Sequence, residues 1–301
     1  MPNCILCPRN CVIERTEEKF GFCGSPATPV VNLAKLHFGE EPLISGRHGS
    51  GTVFFEGCNL KCVFCQNRAI SRGLTGAGKS MSPQALADLY LSLENTGAHN
   101  INLVTPMHYA PAVAASIGIA KQKDIKIPFV ANVSGYDKVD TLKLFDGLVD
   151  IYVTDFKFFS PKLSKQLCGA PDYFSVACLA TDEMVRQTGK LQIDRTDITM
   201  PLLKKGVINR HLMLPGQLFD TKHILEYLVP RYGDNVFISL MNQYTPPEGL
   251  PGNAPGFLEK KLNPDHYEKM CDYLMQLGQI NAFIQEDDAS GNALLPDFKT
   301  P

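Results

Sequence analysis

Charge of one sign is missing from this chain: Lys plus Arg is 29, Asp plus Glu is 31, and the formal net charge is −2. Such a balance argues against a polyanion-binding surface, so nucleic acid is not an expected partner. Long hydrophobic runs are missing too. No apolar stretch approaches the roughly 18 residues that span a bilayer, so no membrane partner is expected. The start, Met1-Pro2-Asn3-Cys4, lacks the charged segment and apolar run of a secretory signal, which points to a cytoplasmic location. No internal repeat is visible. With 301 residues, 44% of them apolar and 20% charged, the chain can bury a sizeable core and is not expected to be disordered.

From about residue 50, short apolar runs alternate with longer amphipathic stretches. Strands are predicted over 52–56, 101–104, 127–131, 150–154, 211–214 and 236–240. Ser82-Pro83 reads as a helix cap with Pro at the first helical position, and Leu86, Leu89, Tyr90 and Leu93 form the apolar face. Asn263-Pro264 opens a final helix that Gly278 ends. Further helices are predicted near 109–122, 137–146, 172–189 and 220–230. Six strands alternating with helices imply an α/β fold on a parallel sheet, either open and doubly wound or a partial barrel. Residues 1–45 read as a small Cys-rich metal-binding cap and 46–301 as the main domain. The Pro- and Gly-rich stretch 245–256 is read as a lid loop, with a mobile surface loop as the alternative.

Cysteine placement carries more than the count of 10. Cys168, Cys178 and Cys271 are scattered and read as small buried hydrophobes. Cys58, Cys62 and Cys65 form C-x3-C-x2-C directly after a strand, a spacing that chance produces in about 0.01 chains of this composition. A closed zinc site wants four ligands. Three thiolates suit a cubane cluster with one iron left open, and an open metal position is what catalysis needs. Cys4, Cys7, Cys11 and Cys23 form C-x2-C-x3-C-x11-C, a closed four-thiolate set that fits zinc or a second iron–sulfur cluster. Residues 73–80, GLTGAGKS, match the phosphate-loop pattern, but the cluster loop and Ile70-Ser71-Arg72 precede it in place of an apolar strand and the helix starts slightly later, at Ser82-Pro83, so nucleotide hydrolysis is not expected.

The text around the three cysteines, GSGTVFFEGCNLKCVFCQN, resembles the radical S-adenosylmethionine (SAM) superfamily. With CPRNC, EEPLISG, NVSGY, TDFK, HLMLPG and SLMNQYTP it is similar to the branch of the pyruvate formate-lyase-activating enzymes. The resemblance implies a partial (βα)6 barrel and a 4Fe–4S cluster on Cys58, Cys62 and Cys65, whose open iron binds S-adenosylmethionine. It further implies an electron donor such as flavodoxin or ferredoxin, reductive cleavage of the sulfonium, and a 5′-deoxyadenosyl radical that abstracts hydrogen. Phe64 matches the position beside the adenine. Asp155 and Lys157 match an Asp-x-Lys element at the end of the fourth strand, with a plain ion pair as the bland alternative. His211 matches a fifth-strand position that reaches the cosubstrate, against a satisfied core histidine.

Two departures separate the chain from the activating enzymes. Their Gly-Gly-Glu-Pro after the second strand is replaced by Val104-Thr105-Pro106-Met107, which leaves Thr105 as the substitute. GEEP at 39–42 lies upstream of the cluster strand and is not expected to serve. Their Asp-Thr-Asn-Gly reads Asn132-Val133-Ser134-Gly135, so the Asp that would hold a monovalent cation is lost, and Asn132 and Ser134 are read as cofactor-binding candidates. The reading is therefore a radical SAM enzyme of unidentified substrate, with a protein or peptide substrate left open. The alternatives are an activase that makes a glycyl radical on a partner protein, and a non-catalytic metal-binding redox or scaffold protein.

Overall fold

The first strand lies inside the expected Cys-rich cap. In the computed structural model, which describes residues 3–285 and 298, β1 (Val30–His37) runs antiparallel to β2 (Ser50–Phe55). Its other edge takes the two-residue β3 (Lys79–Ser80). From β2 onward come β4 (Ile101–Val104), β5 (Phe129–Val133), β6 (Ile151–Asp155), β7 (Gln192–Asp194), β8 (Leu202–Leu212), β9 (Val236–Met241) and β10 (Ala282–Ile284). The sheet order is β10-β9-β8-β6-β5-β4-β2-β1-β3, parallel from β2 to β10, with β7 a hairpin partner of β8.

Helices α1 (Pro42–Ser45), α2 (Arg68–Ser71), α3 (Pro83–Asn95), α4 (Ala110–Gln122), α5 (Val139–Leu142), α6 (Pro161–Cys168), α7 (Tyr173–Thr188), α8 (Leu218–Tyr232) and α9 (Pro264–Gln276) fill the connections. The best-marked ones start as the sequence indicates. Ser82 Oγ accepts from the Ala85 N–H at 3.2 Å, and Pro83 opens α3, whose Leu86, Ala87, Tyr90 and Leu93 are buried. The same cap-then-Pro device opens α6 at Ser160 and α9 at Asn263.

Strand alternation divides the sheet into two faces. One face packs on the outer helices through a large apolar cluster that includes Leu103, Ala131, Tyr152, Val207 and Ile238. On the other face Val130, Ile151, Val153, Ile208 and Phe237 enclose Leu43 and Ile44 of α1. One short helix therefore plugs the floor of a partial barrel. Ile44 is fully buried there, and truncation to Ala would cost about 3 kcal/mol. Above that floor, residues of β1, β2, β4, β5, β6, β8, β9 and β10 line a single cavity, which only a curved sheet allows.

Three expectations are corrected and one helix is added. Residues 30–45 are part of the barrel sheet and its plug, because Val30 and Val31 are buried sheet residues and α1 fills the interior, so the boundary expected at residue 45 is crossed. The strand expected at 211–214 begins at Leu202; the run Lys204-Lys205-Gly206 hid its first half. The helix expected over 137–146 is one turn, α5, followed by a 3-10 turn, Lys143–Phe145. The helix α6 was not foreseen.

A candidate cofactor cavity at the strand ends

The strand ends meet at a cavity of about 510 Å³. Cys58, Cys62 and Cys65 line it together with Phe64, Thr105, Asn132, Ser134, Asp155 and Lys157. These nine residues come from four βα connections and were each named from sequence.

The loop that carries the three thiols is held from behind. Gly57 has φ +87°, and a Cβ there would stand 1.9 Å from Ser25 Oγ, so only glycine lets the N-terminal segment approach. Arg72 donates to the carbonyls of Lys61 at 2.7 Å and Cys62 at 2.9 Å. Asn59 Nδ2 donates to the Tyr136 carbonyl at 2.7 Å, and Ser134 Oγ donates to Asn59 Oδ1 at 3.3 Å. Burial, with the neighbouring thiols adding, pushes the Cys58 thiol up to about 12. Cys62 is raised by its hydrogen bond with Cys168 and by burial, and Cys65 by burial. Cys168, read from sequence as a plain core thiol, thus stands against a cluster-loop cysteine.

Asp155 and Lys157 form an ion pair at 2.7 Å, and both remain on the cavity wall. Burial opposes the Lys157 charge, but Asp155, then Cys62, hold its pKa above the ordinary lysine value. Thr105 has φ +58°, a left-handed conformation that costs a β-branched residue on the order of 1–3 kcal/mol. Its N–H donates to the Asn132 carbonyl at 2.8 Å. The threonine thus stands in a conformation natural to glycine, at the place where the resembled motif has one.

His211 does not reach the cavity. Arg210 and Leu212 line it, so alternation turns His211 to the helix face, where Nδ1 pairs with the Phe156 carbonyl at 2.7 Å and Nε2 with Thr221 Oγ1 at 2.9 Å. Burial lowers its pKa. The satisfied core histidine is the correct reading, and Arg210 is the cavity residue of that strand.

The GEEP turn, set aside because it precedes the cluster strand, lines the cavity through Gly39, Glu40, Glu41 and Pro42. Arg210 Nε donates to Glu41 Oε1 at 2.8 Å, and Nη2 bridges Glu40 and Glu41. Sequence order misled here: α1 carries the turn into the barrel from below. The phosphate-loop match at 73–80 falls apart as expected, since Lys79 and Ser80 sit in β3 and Thr75 N–H donates to Glu56 Oε2 at 2.9 Å. The loop 245–256 lies beside the cluster loop, where Arg68 Nη1 donates to the Gly249 carbonyl at 3.2 Å, but none of its residues lines the cavity.

Cys4, Cys7 and Cys23 are buried and Cys11 is half-buried in one small module. Burial pushes the Cys7 thiol up to about 12, with Cys23, Cys11 and Cys4 adding to it. The module clasps the outside of the cluster loop: Arg9 donates to the carbonyls of Asn59 at 2.8 Å, Gly169 at 2.5 Å and Cys168 at 2.7 Å, and the Cys58 N–H donates to the Cys23 carbonyl at 3.4 Å. Among the described residues, no three His, Cys, Asp or Glu side chains are arranged to hold a single metal ion.

Comparison with known proteins decides the family. The sequence model of the Radical SAM superfamily matches residues 52–228, which spans the cluster loop and strands β2 to β8. The chain belongs to the radical SAM superfamily. It is 30% identical to an uncharacterized protein of Methanocaldococcus jannaschii over 251 residues, which covers 81% of this chain and 66% of that one. The fold is similar to Streptococcus suis SuiB bound to S-adenosylmethionine, with a TM-score of 0.52 at 14% identity, over 79% of this chain and 50% of that chain. A second structure of Streptococcus suis SuiB gives a TM-score of 0.51 at 14% identity, over 79% of this chain and 48% of that chain. The chain thus spans just under two thirds and about half of these relatives.

The family implies a 4Fe–4S cluster and S-adenosylmethionine, and the residues present fit them. Three thiols share one wall of a cavity that stays open in front of them, and a cubane sets its thiolates on different irons, which asks for a wider spacing than a single ion does.

Proposed function

We propose that this radical SAM protein is an enzyme that binds S-adenosylmethionine in the 510 Å³ cavity and directs hydrogen abstraction at a substrate held beside it. The single observation that carries the reading is the convergence of Cys58, Cys62 and Cys65 with Phe64, Thr105, Asn132, Ser134, Asp155 and Lys157 on that cavity. When bound, the cluster and cosubstrate supply one-electron cleavage of the sulfonium and a 5′-deoxyadenosyl radical.

The chain's own residues have the following parts in this reading. Cys58, Cys62 and Cys65 anchor three irons. Lys157, kept charged by Asp155, faces the cosubstrate carboxylate, and the Thr105 hydroxyl or carbonyl takes its amino group. Phe64, which meets Phe158 edge-on at 6.1 Å, packs by the adenine; Asn132 and Ser134 hold polar atoms of the nucleoside. The walls exclude water from the radical. The four-cysteine module binds a second metal group in a closed site, and since no three of the described side chains are set for a single ion, a cluster is favoured over zinc. A low-potential donor protein such as flavodoxin or ferredoxin supplies the electron, and the reducing cytoplasm is the setting that suits ten free cysteines.

The motifs resemble those of the pyruvate formate-lyase-activating enzymes, while the departures at 104–107 and 132–135 argue for a substrate other than theirs. Anaerobic reconstitution tests the reading. Reduced protein should convert S-adenosylmethionine to 5′-deoxyadenosine, and Lys157→Ala should bind it at least tenfold more weakly at unchanged cluster absorbance. Unchanged affinity would return Asp155 and Lys157 to a structural ion pair.

A further inference from the structure

The cavity has a second polar end that the cosubstrate reading leaves unused. Glu40 and Glu41 are 7% and 6% exposed, and one guanidinium, Arg210, serves both. Glu41 is saturated: it takes two hydrogen bonds from Arg210 and further ones from Ser239 and from its own backbone N–H. Among the described residues, Glu40 accepts from Asn102 Nδ2, at 2.8 Å, and from Arg210 Nη2, although an ionised carboxylate offers about four acceptor positions. Its backbone is fixed, because the Glu40 N–H donates to Ser45 Oγ at 3.1 Å. A buried carboxylate that shares its one counter-charge with a second carboxylate keeps acceptor capacity for a further donor.

The charges on the cavity wall say what that is. Asp155 and Lys157 cancel, and burial keeps the half-buried His37 neutral at pH 7. Glu40 and Glu41 against Arg210 leave one negative charge over.

We propose that Glu40 receives the substrate and that the substrate presents a cationic nitrogen, an ammonium group on an alkyl chain, to it. This rests on the reading that the cosubstrate occupies the Cys58–Cys62–Cys65 end, and it adds the class of the second reactant. The carbon chain next to the nitrogen then extends from Glu40 toward that end. Phe54 supplies an apolar flank, against which the chain's own Phe298 stands edge-on at 5.4 Å.

Ligand-observed NMR on the reconstituted full-length protein tests the assignment, with n-butylammonium, n-butanol and butyrate as probes, with and without S-adenosylmethionine. Expected is at least tenfold tighter binding of n-butylammonium than of the other two. In Glu40→Gln that preference should be lost, with cluster absorbance and S-adenosylmethionine retention by equilibrium dialysis unchanged. Equal binding of n-butanol, a preference for butyrate, or an undiminished preference in Glu40→Gln would overturn it. Loss of S-adenosylmethionine from Glu40→Gln would overturn it as well, by assigning Glu40 to the cosubstrate. Should Glu40→Gln fail to fold, Glu40→Asp withdraws the charge by one methylene; a weakened preference supports the proposal and an unchanged one refutes it. Wild-type retention of S-adenosylmethionine reports separately on the cosubstrate reading.

Discussion

Two groups of cysteines sit back to back, and they differ in what stands in front of them. Cys58, Cys62 and Cys65 face a cavity; Cys4, Cys7, Cys11 and Cys23 face one another and the rear of the cluster loop. Three donors leave a metal position for a reactant, whereas four close the site. The difference teaches that similar thiol chemistry is put to two uses by its neighbours. In the open group the neighbours are strand ends that deliver ligand-binding side chains. In the closed group they are Arg9, Arg15 and tight glycines, which knit 20 residues with few apolar contacts onto the barrel.

The largest effect should come from breaking the open group. Cys62→Ala is expected to abolish formation of 5′-deoxyadenosine and to remove the barrel cluster, while metal bound by the four-cysteine module stays. Turnover near the wild-type rate in an oxygen-free preparation would contradict it. Cys7→Ser should do the converse: metal analysis should show loss of the second group alone, and hydrogen exchange should rise over residues 3–29, the barrel cluster keeping its absorbance.

The link between the groups comes next. Arg9→Ala removes three hydrogen bonds from one guanidinium to the carbonyls of Asn59, Cys168 and Gly169, and should lower stability by about 2–3 kcal/mol in denaturant unfolding. A change within error would mean that the module and the cluster loop are not mechanically coupled.

Asp137, buried behind the strand ends, adds a pH-dependent test. Among the described residues its Oδ2 has no hydrogen-bond partner, and burial, helped by the charge of Asp155, pushes its pKa up to about 7. Because the folded value lies above the ordinary carboxylate value, the unfolded chain loses this proton first. Stability should be fully present below about pH 4 and fall as pH rises toward 7, by an amount on the order of 4 kcal/mol. Asp137→Asn should flatten that slope in thermal melts recorded across the window. The smallest effect concerns Thr105: Thr105→Gly relieves the positive φ and should raise stability by about 1 kcal/mol while weakening S-adenosylmethionine binding through loss of the hydroxyl. A fall in the melting temperature would show that the hydroxyl or methyl makes contacts worth more than the strain.

Much of the site was readable because parallel strands deliver their following residues to one end. Knowing that Cys58, Thr105, Asn132, Asp155 and Lys157 each lie at or just beyond the C-terminal end of a strand is nearly enough to place them together. His211 shows where this fails. It lies within β8, and a strand start misjudged by nine residues leaves its inward or outward facing undetermined. Glu40 and Glu41 failed for a different reason. Their helix α1 is four residues long with no periodicity, and its position inside the barrel is set by long-range packing of Leu43 and Ile44 on Val130, Ile151 and Phe237. The strand β1 was hidden in the same way, by its sequence neighbourhood of cysteines.

Electron paramagnetic resonance of the singly reduced protein, before and after S-adenosylmethionine is added, tests most directly whether the open group is the reaction centre. The protein as a whole and the Cys7→Ser variant should both show a cluster signal whose g-values shift on addition, because only an iron with a free position facing the cavity can take a new ligand. A spectrum that S-adenosylmethionine leaves unchanged, at concentrations where dialysis shows it bound, would contradict the account.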